Sequence, residues 1–299
     1  MTQLFHKLVF CLLLGGLCCF VMESCTNKTT NNQHITVSIA PLAFLVENIA
    51  GEKYTVETFV PRGSSPETYE PTPKQLMHLD KSALFFFVGN LGFEQTWLKQ
   101  MQQNAPHTEF VPTSKGINLL HSNHSHNEND NKKETNECHG TDPHVWTTPN
   151  NLKIMAECIA HKLMNTFPKD SLMFAKNLQN LNDSLDAADR KIRTLLTPNS
   201  QKAFLIYHPT LSYFAHEYHL EQLTIEEDGK IPSPAHLQAI IKSARKQQVQ
   251  TIFLQQEFDR RHAEIIAQET KTNITEINPL SPNCIEELIR IAKALNRIP

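Results

Sequence analysis

The sequence predicts an α/β protein of two α/β lobes, each a parallel-rich sheet flanked by helices, joined by a long rigid linking helix. In both halves, short β-branched or apolar runs alternate with helical patterns, as in parallel α/β sheets. Between the halves, residues 168–196 carry apolar side chains at steps of three and four, uninterrupted after Pro168 by proline or glycine. At 1.5 Å per residue this helix would reach roughly 40 Å, more than the width of one small domain. We therefore interpret it as a rod between two lobes.

The first half contains four predicted strands and four predicted helices. The run 83–88, ALFFFV, is continuously apolar, which is typical of a strand covered on both faces. Thr148 and Pro149 open the last of these helices as its N-cap and first helical residue. The predicted strands are 35–39, 54–60, 83–88 and 109–111, and the predicted helices are 42–49, 74–81, 93–103 and 149–167.

The second half repeats this alternation after Thr197-Pro198-Asn199 ends the rod. Ser233 is the predicted N-cap of its second helix. The predicted strands are 203–207, 223–226, 249–254 and 274–277, and the predicted helices are 212–218, 234–247, 260–270 and 284–295. We therefore expect an N-terminal lobe over residues 34–167, a linking helix over 168–198 and a C-terminal lobe over 199–299.

Residues 1–25 have the pattern of a lipoprotein signal peptide. Lys7 gives a positive start, and the apolar stretch 8–22 is short for a membrane span but suits a signal peptide. We predict Cys25 to be the lipid-bearing first residue of the mature protein and residues 26–33 to be a polar tether. The alternatives are a cleaved secretory signal and an uncleaved anchor. All three place the lobes outside the cytoplasm.

Charge and glycine content exclude several classes of partner. The net charge of -3 in 299 residues gives no indication of a nucleic acid or an anionic surface. Glycine is scarce, at 9 residues, and neither GxGxxG nor GxxxxGK[ST] occurs, which argues against a nucleotide-binding loop. Besides Cys25, the mature chain keeps Cys138, Cys158 and Cys284, which we expect to be unpaired. Cys158 lies in a helical pattern and is expected to be a buried small side chain.

Residues 121–139 form a polar, histidine-rich stretch. With almost nothing apolar to bury, it is expected to be a mobile loop. Imidazole and thiolate are preferred zinc ligands, so we predict that the loop collects metal ions weakly, with Cys138 as a further donor. The alternative is a solvated insertion that binds no metal. The loop histidines are His121, His124, His126 and His139.

Polar side chains follow the predicted strands of both halves. Glu67 lies in the turn-rich segment PRGSSPETYEPTP, His144 in DPHVW, and His208 directly after the first strand of the second half. In parallel sheets, ligands bind beyond the carboxyl ends of strands, and clefts between domains are favoured sites. We therefore predict a mononuclear metal site between the lobes, made by Glu67, His144 and His208. The alternative for each residue alone is a solvated glutamate or a histidine that satisfies a backbone group.

The chain resembles the metal-binding receptors of high-affinity zinc and manganese ABC importers, the periplasmic zinc-binding protein group. Five stretches follow that family's motifs in the family's order, over nearly the whole mature chain. They are GSSPETYEPTP, DPHVWTTP, FLIYHPTLSYFA, DGKIPSPAHL and IFLQQEFDRRHAEIIAQET. The resemblance implies two lobes with a rigid linking helix and a metal held between them. It also implies an ABC permease and its ATPase as membrane partners.

By position, His144 and His208 match the family's ligands, and two residues depart from the pattern. Glu67 stands where most members have histidine, and Asn278 stands where manganese members, and some others, have aspartate. A carboxylate remains a good zinc ligand, at about 2.0–2.2 Å. Asn278 offers only a neutral oxygen, so it is a candidate fourth but weak ligand, with water as the alternative.

The histidine-rich loop is typical of the zinc branch of that family, and the predicted cargo is therefore Zn²⁺, with manganese or iron as the alternative. The predicted protein is a monomeric, lipid-anchored periplasmic receptor that catalyses no reaction. Two rival functions are a secreted zinc hydrolase and a metal-binding adhesin. Against the hydrolase, the sequence contains no HExxH motif.

Overall fold

The computed structural model of the chain describes residues 33–121, 140–197, 200–226 and 229–296. The site predictions that lie outside these ranges concern Cys25, His124, His126, Cys138 and His139. Over the described ranges, none of the helices combines the length and the apolar composition that a membrane crossing needs.

Four parallel strands form the sheet of the N-terminal half. The strands are β1 (His34–Val37), β2 (Thr55–Thr58), β3 (Leu84–Phe87) and β4 (Glu109–Pro112), and the helices are α1 (Ala40–Ala50), α2 (Pro73–Leu79), α3 (Gly92–Asn104) and α4 (Pro149–Thr166). The strand order is β2-β1-β3-β4. All four residues of β3 are buried, as its apolar run predicts for a strand with helices on both faces. Thr148 caps α4 as predicted, accepting a hydrogen bond from the Asn151 N–H at 3.2 Å.

The predicted rod is one helix, α5 (Ser171–Leu195), preceded by a short 3₁₀ turn, Pro168–Asp170. Its 25 residues correspond to a length of about 37 Å. One face is apolar and buried, and it packs against α1 and α4 of the N-terminal half. The buried residues of this face are Phe174, Leu181, Leu185, Ala188 and Ile192.

The C-terminal half repeats the sheet of the first. Its strands are β5 (Ala203–Ile206), β6 (Glu221–Thr224), β7 (Thr251–Gln255) and β8 (Asn273–Ile277), and its helices are α6 (Ser212–Glu217), α7 (Pro234–Lys246), α8 (Arg261–Thr270) and α9 (Cys284–Leu295). The strands are parallel in the order β6-β5-β7-β8. Helix α9 packs against the linking helix α5. Two parallel sheets flanked by helices confirm the predicted fold class.

The two faces of the second sheet belong to different cores. Phe204 and Ile206 join the large core that contains β3 and the buried face of α5, whereas Ala203 and Leu205 face a smaller core with α7 and α8. This division follows from strand geometry, because successive side chains point to opposite faces. The large core therefore continues from one sheet through the linking helix to the other.

Two local predictions need correction. The second strand of the C-terminal half runs over Glu221–Thr224 rather than 223–226, because it is a partly exposed edge strand whose EQLT sequence lacks the expected apolar run. Cys158 is half-buried rather than buried, with its sulfur 3.6 Å from the carbonyl oxygen of Pro112. Cys284, the first residue of α9, is fully enclosed. Burial raises the pKa of its thiol to about 12.

Candidate metal centre

Glu67, His144 and His208 converge at the carboxyl ends of the strands. Each of the three side chains offers one potential ligand atom, and these three atoms all lie within 4.8 Å of one another. Glu67 lies in the segment between β2 and α2, His144 precedes the 3₁₀ turn Val145–Thr147, and His208 follows β5 by two residues. In each sheet the strand order reverses beside its first strand, where parallel α/β folds open a crevice.

Asp142 holds the imidazole of His144. The Asp142 Oδ1 atom lies 2.8 Å from Nδ1 of the ring and accepts the backbone N–H of His144 at 2.9 Å. Both side chains are buried. Burial by itself would lower the pKa of His144, but the hydrogen bond and negative charge of Asp142, with the charges of Glu67 and Glu226, raise it overall. This arrangement leaves Nε2 of His144 directed at Glu67, 3.6 Å from its Oε1.

Glu226 holds His208 in the same manner. Its Oε1 lies 2.8 Å from Nδ1 of the ring, which leaves Nε2 for another partner. The Gln255 side chain donates to the His208 carbonyl oxygen at 2.6 Å, and the Phe258 ring stacks on the imidazole with 5.4 Å between centroids. The metal-holding pattern of an imidazole whose second nitrogen bonds a carboxylate thus occurs twice.

Among the residues that the structure describes, two buried atoms of the cluster have no hydrogen-bond partner: Oε1 of Glu67 and Nε2 of His208. A buried polar atom without a partner costs about 1–3 kcal/mol. Both atoms are electron-pair donors, and they lie beside Nε2 of His144. Two imidazole nitrogens and a carboxylate oxygen are a donor set that fits Zn²⁺.

The space among these atoms suits a single ion. The rings of His144 and His208 meet edge to face, with 5.1 Å between centroids and 76° between planes. The cavity that they line with Glu67 has a volume of about 30 Å³. Such a volume admits one or two water-sized particles.

Asn278 does not point into this cluster with a free oxygen. The Asn278 Oδ1 atom accepts the backbone N–H of Leu280 at 3.0 Å. The backbone N–H of Asn278 donates to Oε1 of Glu287 at 2.7 Å. It lines a second, neighbouring cavity of about 230 Å³. His121 is exposed and bridges to Thr141.

Hydrogen bonds connect the two halves around the site. Trp146 Nε1 donates to the Pro279 carbonyl oxygen at 2.9 Å. Tyr213, on α6, donates its hydroxyl to the Asp142 carbonyl oxygen at 2.8 Å and accepts the Leu120 N–H at 3.1 Å. The segment that carries His144 is therefore held from the opposite half.

The backbone of Glu67 rests on the first residues of α3. Phe93 N–H donates to the Pro66 carbonyl oxygen at 3.1 Å. A Cβ atom on Gly92 would overlap the Glu67 carbonyl oxygen. Glycine at this position is therefore required for the close approach of the two segments, which sets the position of the Glu67 carboxylate.

Sequence patterns predict the three converging residues but not the roles of Asp142, Glu226 and Gln255. A usable signal was present for two of them. Asp142 precedes His144 by two residues, and Glu226 follows a strand that neighbours the one before His208. Gln255 ends β7 as a buried polar side chain, and its contact with His208 follows from strand pairing alone.

The chain matches the family model described as "ZnuA: Zinc-uptake complex component A periplasmic" over residues 35–287. It is 28% identical over 295 residues to a putative metal-binding protein of Chlamydia trachomatis, covering 96% of this chain and 98% of that protein. It is 24% identical over 283 residues to the manganese ABC transporter substrate-binding lipoprotein scaA of Streptococcus gordonii, covering 90% and 87% respectively. A crystal structure of ZnuA superposes with a TM-score of 0.80 at 29% sequence identity, covering 88% of this chain and 97% of that one.

Proposed function

The chain belongs to the ZnuA family of periplasmic zinc-uptake components, and on this premise we propose that it captures Zn²⁺ with Glu67, His144 and His208 and delivers the ion to an ABC permease. The family consists of metal-binding, substrate-binding proteins of ABC importers, which work with a membrane permease and its ATPase. In this role the metal is cargo and no bond of a substrate is made or broken.

The observation that carries the proposal is a pair of buried atoms, Glu67 Oε1 and His208 Nε2, that have no hydrogen-bond partner within the described part of the chain. A folded chain keeps such atoms where a ligand satisfies them. The carboxylates of Asp142 and Glu226 occupy the opposite nitrogens of the two imidazoles, so the remaining nitrogens present lone pairs to the cavity.

Zinc is the cargo that this donor set favours. Zn²⁺ takes imidazole nitrogen and carboxylate oxygen at a coordination number of four, whereas manganese prefers more oxygen ligands and a higher coordination number. Manganese is the alternative cargo, because the scaA relative is a manganese-transporter lipoprotein. Titration with each metal in turn separates the two.

The location and anchoring of the protein are part of the same proposal. We place the two lobes, 34–167 and 199–299, in the periplasm as a monomer, joined through residues 168–198 and tethered by a lipid on Cys25. Labelled fatty acid should then be incorporated into the wild type and not into a Cys25→Ala variant, whereas equal labelling or none in both would contradict the lipid anchor.

The histidine-rich segment 121–139 is proposed to bind further zinc weakly and pass it to the cleft, because ordering a polar loop around an ion costs conformational entropy. Deletion of residues 121–139 should lower the zinc stoichiometry and leave the tight site intact. Unchanged stoichiometry together with unchanged uptake at low zinc would reject this role.

The central test is a zinc and manganese titration of the full-length chain. Wild-type protein should bind one zinc ion tightly at the cleft, and His144→Ala and His208→Ala should each lose that site. His161→Ala is the matched control, since His161 is an exposed residue of α4. Tight binding that survives His144→Ala would overturn the proposal. Hydrolysis of peptide or ester substrates by the zinc-loaded protein would favour the rival hydrolase.

A further inference from the structure

The three converging side chains leave one coordination position of a tetrahedral zinc ion without a protein ligand. With one carboxylate and two neutral imidazoles, the bound ion would keep a net charge of +1 inside a largely enclosed cavity. Burying an uncompensated charge is costly, and a second carboxylate would remove that cost. Of the residues that the structure describes, the cavity wall contains one such group besides Glu67, which is Glu257.

Glu257 lies in a turn whose two ends are both attached to His208. The turn starts at Gln255 and is closed by the Phe258 N–H donating to the Gln255 carbonyl oxygen at 3.2 Å. The Gln255 side chain donates to the His208 carbonyl oxygen at 2.6 Å, and the Phe258 ring stacks on the His208 imidazole. Glu257 is therefore carried beside His208 by contacts that do not involve its own carboxylate.

The Glu257 carboxylate has no partner among the described residues. Among the residues that the structure describes, none forms a hydrogen bond or an ion pair with it, although the residue is half-buried. It lines both the site cavity and the adjoining cavity of about 230 Å³. A side chain on the boundary between two cavities has room to turn toward either of them.

The other side-chain oxygens that the structure describes around the site each accept a hydrogen bond. Asn278 Oδ1 accepts the Leu280 N–H, and Thr210 Oγ1 accepts from the Gln255 side chain at 3.1 Å. Ser65 Oγ accepts the Glu67 N–H at 3.3 Å. Glu257 thus carries a negative charge, lies beside His208 and has no hydrogen-bond or ion-pair partner among the described residues.

We propose that Glu257 is the fourth zinc ligand, which turns from the boundary of the adjoining cavity into the site when the metal enters. This inference rests on the proposed function and extends it. The loaded site is then closed, with four protein ligands and a neutral net charge, as in zinc sites that do not hydrolyse substrates. The closed shell leaves no position for an activated water, which distinguishes a capture site from a zinc hydrolase.

Glu257→Gln in the full-length chain tests this ligand, because it removes the charge and keeps the shape. Zinc affinity is measured by competition with a chromophoric chelator. It should fall by at least ~10–100-fold, which is the loss seen when a residue that supports a zinc ligand is removed. Gln256→Ala is the matched control, since Gln256 is an exposed residue of the same turn. Its zinc affinity should equal that of the wild type.

Cobalt substitution supplies a second readout that a merely structural role would not change. A water molecule on the metal ionises at a pH near 7 and alters the visible spectrum of Co²⁺, whereas four protein ligands leave no such water. With enough Co²⁺ to keep the site saturated at every pH, the wild-type cobalt spectrum should therefore stay constant between pH 6.5 and 8.5, and the Glu257→Gln spectrum should change.

The outcomes separate this inference from the proposed function. Wild-type affinity in Glu257→Gln, with losses in His144→Ala and His208→Ala, would overturn the role of Glu257 and leave zinc capture intact. A pH-dependent spectrum of the wild type at saturating Co²⁺ would likewise assign the fourth position to water. Wild-type zinc affinity in all three variants would overturn the proposed function together with the inference.

Discussion

Nε2 of His144 lies 3.6 Å from Oε1 of Glu67, too far for a hydrogen bond and close to the separation that a shared zinc ion requires. Two donors at about 2.0 and 2.1 Å from a tetrahedral ion are about 3.3 Å apart. Asp142 fixes the position of the imidazole, and the contact of Glu67 with Gly92 fixes the backbone behind the carboxylate. The pair is therefore pre-arranged for an ion, and only a few tenths of an ångström separate it from coordination geometry.

Glu67→Gln should weaken zinc binding by at least about a hundredfold, because a neutral amide oxygen replaces the only negative donor of the three converging residues. Glu67→His should bind zinc far more tightly than Glu67→Gln, since imidazole is a regular zinc ligand. Chelator competition on the three proteins measures both effects. If Glu67→Gln bound zinc like the wild type, Glu67 would not be a ligand.

Asp142→Asn and Glu226→Gln should each weaken zinc binding by about 10–100-fold without removing a ligand. Each carboxylate holds a histidine Nδ1 at 2.8 Å and so directs Nε2 at the metal. The control is Asp80→Asn, which breaks a similar carboxylate–imidazole pair with His107, 3.0 Å from Oδ2 to Nδ1. That pair is on the surface, and neither residue lines the site cavity. An equal loss of affinity in Asp80→Asn would show that the effect is not specific to the site.

Gly92→Ala should weaken zinc binding by on the order of tenfold, although Gly92 offers no donor atom, because the added methyl group displaces the Glu67 backbone. It should also lower the free energy of unfolding by about 1–3 kcal/mol through overpacking. Gly140→Ala is the matched control, since a Cβ there meets nothing within 4 Å. Titration and urea unfolding of both variants check the prediction, and identical affinities would contradict it.

Zinc binding should weaken as the pH falls, starting above the ordinary imidazole range. His144 must lose its proton before Nε2 can bind zinc, and Asp142, Glu67 and Glu226 raise its pKa above 6.5 in the metal-free protein. The raised pKa means that protonation of His144 adds to the free energy of unfolding of the protein without zinc. This contribution is fully present below pH 6.5 and is lost as the pH rises through the raised pKa. The increase in melting temperature caused by zinc should therefore grow with pH across this interval.

Asp142→Asn tests the cause of that pH dependence. Without the negative charge at 2.8 Å, the pKa of His144 should fall. The midpoint of the pH profile, normalised to each protein's own largest zinc effect, should fall with it, although the zinc affinity at high pH is lower. Melting curves with and without zinc between pH 5 and 9 give both profiles. Superimposable profiles of wild type and variant would contradict the assignment of this dependence to His144.

Leu185→Ala in the linking helix should lower the free energy of unfolding by about 2–5 kcal/mol. Leu185 is 0% exposed and lies in the core that α5 shares with both sheets. Leu172→Ala is its control on the same helix, because Leu172 is 89% exposed and should change stability by less than about 0.5 kcal/mol. Equal losses in urea unfolding would contradict the packing of the helix between the sheets.

Local patterns predicted most of the secondary structure. The amphipathic α9 begins and ends where its apolar spacing indicates, and Thr148 and Ser233 cap their helices through hydrogen bonds to backbone N–H groups at 3.2 Å. The edge strand β6 was misplaced by two residues because half-exposed strands carry a weak apolar signal. Cys158 was expected inside because a helical pattern shows which residues share a face but not how deeply that face is covered.

The sequence by itself determined the strand–helix alternation, the linking helix and the types of donor that follow the strands, because each is written within a few neighbouring residues. Only the tertiary structure decided that Glu67, His144 and His208 meet, that Glu226 holds His208, and that the oxygen of Asn278 is taken by the Leu280 N–H. These relationships depend on strand order and packing between segments far apart in the chain. No periodicity within one segment encodes the distance to another.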